Sequence, residues 1–224
     1  MKRNKRLKIL ETIGNHIINN KKEYLLVTLI FLVGIFLGVM FINNTQEEQM
    51  TEITSYLNNF TDKLKNTEKL ETMGILKTTI LQNITLALTL WFFGTTVIGI
   101  PIVFGIILYR GFCLGYSIAS IITIMGVGKG IIFVLITLLL QNILFIPAII
   151  AIGVSGFKLY KSIVKDRNKD NIKVEILRHT IFSALMLIVL CISAIIEILI
   201  STNILKNFVK YFWKMYLLFL NSLI

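Results

Sequence analysis

The sequence predicts an all-α fold: a polytopic integral membrane helical bundle of about five transmembrane helices, with amphipathic interfacial helices beside it. Of the 224 residues, 55% are hydrophobic and 16% are charged, whereas a soluble domain keeps about a quarter of its residues charged. The apolar residues are concentrated in runs, and several runs reach the roughly 20 residues that a helix needs to cross a bilayer. One membrane domain therefore fits the chain better than two soluble domains.

The net charge of +11 is distributed in short segments that flank the apolar runs. Lysines and arginines in such positions meet anionic lipid headgroups, so we expect the lipid bilayer as a partner and no nucleic acid. The two cysteines, Cys113 and Cys191, lie inside apolar runs, where small buried side chains are commoner than disulfides or metal ligands. No cofactor is expected.

The N-terminal half begins with a basic amphipathic segment, 1–23, predicted on the cytoplasmic membrane surface. The first span is 24–42, and its length predicts an uncleaved anchor and not a signal peptide. Gly34 and Gly38 in this span form a small-xxx-small pair, a motif that lets helices approach closely. The polar, acidic and amphipathic stretch 43–82 follows and is predicted to be an external loop.

Residues 84–125 are long enough for two spans and contain one charge, Arg110. If the chain turns near Gly99 and Pro101, Arg110 must snorkel or pair inside the membrane. If the second span continues further, Arg110 lies among the headgroups. We prefer a boundary between Ile102 and Arg110. The predicted spans are then 84–104 and 105–125.

The C-terminal half alternates apolar and basic segments. Glycines around Lys129 predict a tight external turn, which a span at 131–154 follows. The loop 158–178 carries seven Lys and Arg residues and is predicted to be cytoplasmic. A fifth span at 180–201 precedes a C-terminal interfacial helix, 203–224, rich in aromatic residues and lysines.

The positive-inside rule orients this arrangement, because the two most basic segments belong on the cytoplasmic side. Four crossings separate the N-terminal segment from the basic loop, so both lie on one side and the acidic loop lies outside. The C-terminal helix then also lies outside, although its three lysines run against the rule.

Polar side chains inside predicted spans are the first candidates for function. Gln141 and Asn142 lie mid-way along the fourth span, shortly before Pro147. We expect their amides to bond across helices and to stabilise the bundle where proline disturbs the backbone. The two histidines, His16 and His179, lie far apart without ligand spacing, and no catalytic or metal-binding role is predicted.

A longer pattern runs from residue 82 to residue 153. It comprises Gln82-Asn83, Leu90-Trp91-Phe92-Phe93-Gly94, Val97-Ile98-Gly99-Ile100-Pro101, Arg110-Gly111-Phe112, Gly115-Tyr116, Leu140-Gln141-Asn142 with Pro147, and Ile152-Gly153. This pattern resembles stage II sporulation protein M, and the anchor, acidic outer segment and five spans agree with that family over essentially the whole chain. Where the family has Leu-Pro-Gln-Asn, this chain has Leu-Leu-Gln-Asn.

The resemblance implies a membrane scaffold without enzymatic activity. Family members are located in the bacterial cell membrane, in the mother-cell membrane at the engulfing septum. There they recruit stage II sporulation proteins D and P, which cut peptidoglycan. Whether the chain also forms a homo-oligomer is left open. The candidate structural or partner-binding residues are Gln82, Asn83, Pro101, Arg110, Gly111, Gly115, Gln141, Asn142 and Pro147.

An alternative function belongs to another class: a membrane subunit of a transporter that works with a partner ATPase. The two functions differ in where a partner binds. A scaffold for wall enzymes must present external or intramembrane surfaces, whereas an ATPase must bind a cytoplasmic surface, here 158–178.

Overall fold

The protein is an all-helical membrane bundle. The computed structural model describes residues 14, 17–18, 20–45, 49–55, 59, 72–135, 138, 140–165 and 172–197, and no strand occurs among them. The principal helices are α1 Lys21–Asn43, α2 Thr72–Gly94, α3 Gly99–Met125, α4 Val127–Val134, α5 Leu140–Lys165 and α6 Ile172–Glu197. The predicted C-terminal interfacial helix, most of the N-terminal amphipathic segment and much of the predicted external loop lie outside the described residues.

Four of these helices, α1, α3, α5 and α6, are long and apolar enough to cross a membrane. Helix α2 is not one of the four, because Lys77, Gln82 and Asn83 lower its mean hydropathy. Its 23 residues nevertheless span about 34 Å at the rise of an α-helix, against a hydrocarbon core of about 30 Å. The first part of α2 lies within the stretch that the sequence predicts as a loop.

Helices α1 and α3 run parallel to each other. Gly111 of α3 lies against Phe31 of α1, and Gly115 lies against Ile35, so positions increase together along both helices. Because two neighbouring helices that point the same way need a return path between them, the chain from the end of α1 to the start of α3 must cross back. Helix α2 lies in this interval.

Helix α2 runs antiparallel to α6. The side-chain amide of Asn83 donates to the carbonyl of Leu190, while Trp91 donates to Thr180, so positions rise along one helix as they fall along the other. The start of α6 therefore lies beside the end of α2.

Helix α5 runs antiparallel to α3. Phe104 packs edge-on against Phe157, with ring centroids 5.3 Å apart, and Gly153 lies against Ile107. Helices α1, α3 and α6 therefore run in one direction, and α2 and α5 run in the opposite direction. Such alternating directions are what about five successive membrane crossings require. Helix α5 is the most buried of the four apolar spans and lies at the centre of the core.

One end of the bundle, here called the basic end, contains the start of α1, the end of α5 and the start of α6. Lys161 at the end of α5 forms an ion pair with Glu23 at the start of α1, with Nζ and Oε1 2.8 Å apart. Lys21, Lys173 and Arg178 are exposed at this end. The contact fixes two helix ends side by side at the membrane boundary.

The break between α2 and α3 lies at residues 95–98, earlier than the predicted boundary between Ile102 and Arg110. The Thr96 hydroxyl donates to the carbonyl of Phe93 and accepts from the backbone N–H of Gly99. A threonine thus satisfies backbone groups at both helix ends, which have no partners within their own helices. Pro101 lies in the first turn of α3, where its missing N–H costs no helical hydrogen bond.

The predicted fourth span, 131–154, is replaced by two helices, α4 and α5. Gly126 ends α3 with a φ of 79°, a conformation that glycine adopts without steric cost. Helix α4 then packs back onto the end of α3, and a Cβ on Gly130 would lie 2.7 Å from the Cα of Ile122. The predicted glycine turn is therefore shorter than expected and leads directly into a helix.

Candidate functional site

The closest helix contact in the described part of the chain joins α1 and α3 through two small-xxx-small pairs. Gly34 and Gly38 face α3, and Gly111 and Gly115 face α1, so the two pairs interlock. A Cβ on any of the four would overlap a carbonyl oxygen of the opposite helix. These oxygens belong to Leu108, Phe112, Phe31 and Ile35, respectively. Glycine is therefore needed at all four positions for the helices to approach this closely.

A buried polar cluster joins three helices near the basic end. The imidazole of His179 on α6 is 1% exposed, and its Nδ1 lies 2.9 Å from the Ser155 Oγ on α5. Its Nε2 lies 3.4 Å from the carbonyl oxygen of Trp91 on α2. One neutral tautomer satisfies both contacts: Nε2–H donates to the carbonyl, and the Ser155 hydroxyl donates to Nδ1.

Two glycines make room for this cluster. A Cβ on Gly156 would lie 3.0 Å from the Cα of Gly94, and a Cβ on Gly94 would lie 2.9 Å from Nε2 of His179. The indole N–H of Trp91 donates to the Thr180 hydroxyl over 3.1 Å. The cluster thus fixes α2, α5 and α6 to one another where α2 and α5 cross.

The adjacent candidates Gln82 and Asn83 have different environments. Asn83 is 6% exposed, and its Nδ2 donates to the carbonyl of Leu190 on α6 over 3.0 Å. Gln82 is exposed on the outer face of α2. Of this pair, Asn83 is the residue that connects helices.

Of the two amide candidates near Pro147, Asn142 makes a local contact, and the predicted contact of Gln141 stays a prediction. Asn142 donates from Nδ2 to the carbonyl of Leu138 over 2.7 Å, so its described hydrogen bond is local and does not cross to another helix. The side chain of Gln141 lies outside the described part of the structure. Pro147 lies inside α5, where it removes a backbone donor that would otherwise pair with the carbonyl of Ile143.

Arg110 lies in the middle of α3, within an apolar span and not at its end. Its guanidinium carbon lies 5.7 Å from the centroid of the Phe145 ring on α5. A cation over an aromatic face is stabilised by the ring quadrupole, most strongly where water is excluded. Of the two sequence interpretations, the structure follows the one in which the arginine pairs inside the membrane.

An apolar cavity of about 420 Å³ opens between α1, α5 and α6. Its walls include Tyr24 and Thr28 from α1, Met186 from α6, and the part of α5 around Pro147. Two small residues within about one turn of the proline, Ala148 and Ala151, form part of its wall.

The sequence predicts neither the buried cluster nor the cavity. His179 is isolated in the sequence, because its partner Ser155 lies on another helix and their spacing forms no motif. The sequence indicates this pair only weakly, because His179 and Ser155 are each a single polar residue in or beside an apolar run. Within the described residues, no group of three or more His, Cys, Asp or Glu side chains could hold a metal ion.

The chain was compared with protein families, curated proteins and solved structures. Neither the curated proteins nor the solved structures include a significant match to this chain. The family model described as stage II sporulation protein M matches residues 27–202, a range that contains α2 to α6 and most of α1. Because this match covers most of the chain, the protein belongs to the stage II sporulation protein M family.

Proposed function

We propose that the protein is a membrane scaffold that recruits peptidoglycan-degrading enzymes for engulfment during endospore formation, and that it is not itself an enzyme. The family match over residues 27–202 carries this proposal, because it covers α2 to α6 and most of α1 and makes the chain a sporulation-related membrane protein. The proposed partners are stage II sporulation proteins D and P.

The geometry of α1 supports a role in binding partners within the membrane. Leu25, Leu29, Leu32 and Phe36 lie on one face of α1 and are between 56% and 70% exposed. The opposite face is held against α3 by the interlocking glycines. A helix fixed on one side and apolar on the other offers a rigid surface to lipid or to the transmembrane helix of a partner.

We further propose that the basic end faces the cytoplasm, in the mother-cell membrane at the engulfing septum. Lysines and arginines are retained on the cytoplasmic side of membranes, and Lys21, Lys173 and Arg178 are exposed at the basic end. The start of α1 is then cytoplasmic, and the end of α6 is external together with the C-terminus.

Affinity purification of the tagged full-length protein from cells at the engulfment stage, in mild detergent, tests the scaffold proposal. We expect peptidoglycan-degrading enzymes to be recovered with it, and not with a tagged control membrane protein of similar abundance. Recovery of an ATPase without any wall-degrading enzyme would contradict the proposal and favour a transporter subunit.

A further inference from the structure

We propose that the cavity between α1, α5 and α6 binds an anionic phospholipid, with one acyl chain in the cavity and the phosphate headgroup at Lys21. This site is separate from the scaffold role. It rests on the shape of the cavity, the register of α1 and the charges at the cavity mouth.

The cavity is suited to an acyl chain by its walls and its size. Isoleucine, leucine, methionine, alanine and proline side chains form most of its lining, and its volume is about 420 Å³. This volume falls in the range of about 300–1,000 Å³ that is typical of ligand pockets. On α5 the lining runs from Ile143 to Ala151, a distance of about 12 Å at the helical rise.

Lys21 lies in sequence between two residues that line the cavity, Ile17 before α1 and Tyr24 in its first turn. Lys21, Tyr24 and Thr28 are spaced i, i+3 and i+7, so they lie on one face of the helix, and the last two line the cavity. Lys21 is exposed in the first turn of α1, at the membrane boundary. The carboxylate of Glu23 in the same turn is bound by Lys161, so within the described part of the chain it does not neutralise Lys21.

Lipid retention by the full-length protein, measured by native mass spectrometry after extraction from mixed vesicles, tests the headgroup. Vesicles contain equal amounts of phosphatidylglycerol and phosphatidylcholine, and we expect the protein to retain phosphatidylglycerol preferentially. Lys21→Ala should lower this retention by about fivefold, the effect of one lysine at an anionic surface. Lys22→Ala, which removes the adjacent lysine from another face of α1, should leave retention near the wild-type value.

A second pair of variants tests the acyl chain. Thr28→Phe places a ring in the cavity and should lower the retention of phosphatidylglycerol, whereas Leu29→Phe enlarges an exposed neighbouring side chain and should not. Thermal unfolding in detergent identifies variants that are misfolded, and Ala151→Val replaces Thr28→Phe if the phenylalanine is not tolerated. Equal retention of the two lipids, or equal losses in Lys21→Ala and Lys22→Ala, would overturn the proposal.

Discussion

At the scale of single residues, the bundle is connected by a few polar side chains whose partners lie on other helices. Asn83 bonds to the backbone of α6, and Ser155 bonds to His179. Such bonds in membranes contribute about 0.6 kcal/mol on average and up to roughly 2 kcal/mol. Each is therefore small, and their importance lies in which helices they connect.

Replacing Asn83 with leucine should lower the thermal stability of the protein in detergent, by the equivalent of about 0.6–2 kcal/mol. The reason is the loss of its bond to the carbonyl of Leu190. Gln82→Leu is the matched control, because Gln82 is exposed and its substitution should change stability by less than about 0.5 kcal/mol. Equal effects of the two variants would show that the interhelical bond contributes nothing.

Ser155→Ala should destabilise the bundle more than Ser120→Ala, although both serines are buried. The Ser155 hydroxyl pairs with His179 on another helix, and its loss leaves a buried imidazole nitrogen without that partner. The Ser120 hydroxyl bonds the carbonyl of Tyr116 in its own helix, so its removal breaks no contact between helices. The unfolding temperatures of the two variants are compared in the same detergent. A larger decrease in Ser120→Ala than in Ser155→Ala would contradict an interhelical role for the Ser155 hydroxyl.

At the scale of helices, the parallel pair of α1 and α3 is the tightest unit in the described structure. Its contact depends on the absence of four side chains and not on attraction between particular groups. Aromatic rings extend the contact beyond the glycines, with Phe41 edge-on to Phe112 at 5.8 Å between centroids. Packing at this density tolerates added atoms poorly.

Gly115→Ala should destabilise the protein by about 1–3 kcal/mol, because the added methyl group overlaps the Ile35 carbonyl and the helices must separate. Gly105→Ala on the same helix is the control. No atom lies within 4 Å of a Cβ added at Gly105. The better helix propensity of alanine should therefore stabilise the protein by up to about 1 kcal/mol. We expect the unfolding temperature to fall in Gly115→Ala and to rise in Gly105→Ala. An unchanged unfolding temperature in Gly115→Ala would refute the close contact between α1 and α3.

At the scale of the whole molecule, the helical bundle follows from the sequence because long apolar runs have few alternatives in a membrane. The first predicted span, 24–42, agrees closely with α1. The predicted boundary between Ile102 and Arg110 differs from the break at residues 95–98, because two adjoining apolar spans show no local signal that fixes where one ends. Phe145, the partner of Arg110, lies on α5, and nothing in the local sequence indicates that contact.

The candidate site was less predictable than the fold, since its contacts join helices that are distant in the chain. The family pattern contains Gly111 and Gly115, but it does not indicate their partners on α1, Phe31 and Ile35. Asn142 was expected to bond across helices, and its described bond is local. Helix register in three dimensions decides these pairings, and periodicity in one sequence does not determine it.

The orientation of the whole bundle can be tested with single cysteines in a background where Cys113 and Cys191 are replaced. Thr45→Cys follows the external end of α1 in the proposed topology, and Lys173→Cys lies at the basic end. In intact cells an impermeant maleimide should label the first and not the second. Permeabilised cells, in which both react, provide the control, and the reverse pattern in intact cells would invert the orientation.

The contact between α1 and α3 also sets an order of biogenesis. A ribosome adding about 5–20 residues per second needs roughly 4–16 s to proceed from Phe31 to Gly111. During this interval α1 has to remain inserted in the bilayer without the helix that covers its glycines. Helix α1 has the highest mean hydropathy of the four apolar spans, and α3 has the lowest. By hydropathy α1 is thus better suited than α3 to lie in lipid without a neighbour, and it is also the helix that is synthesised first.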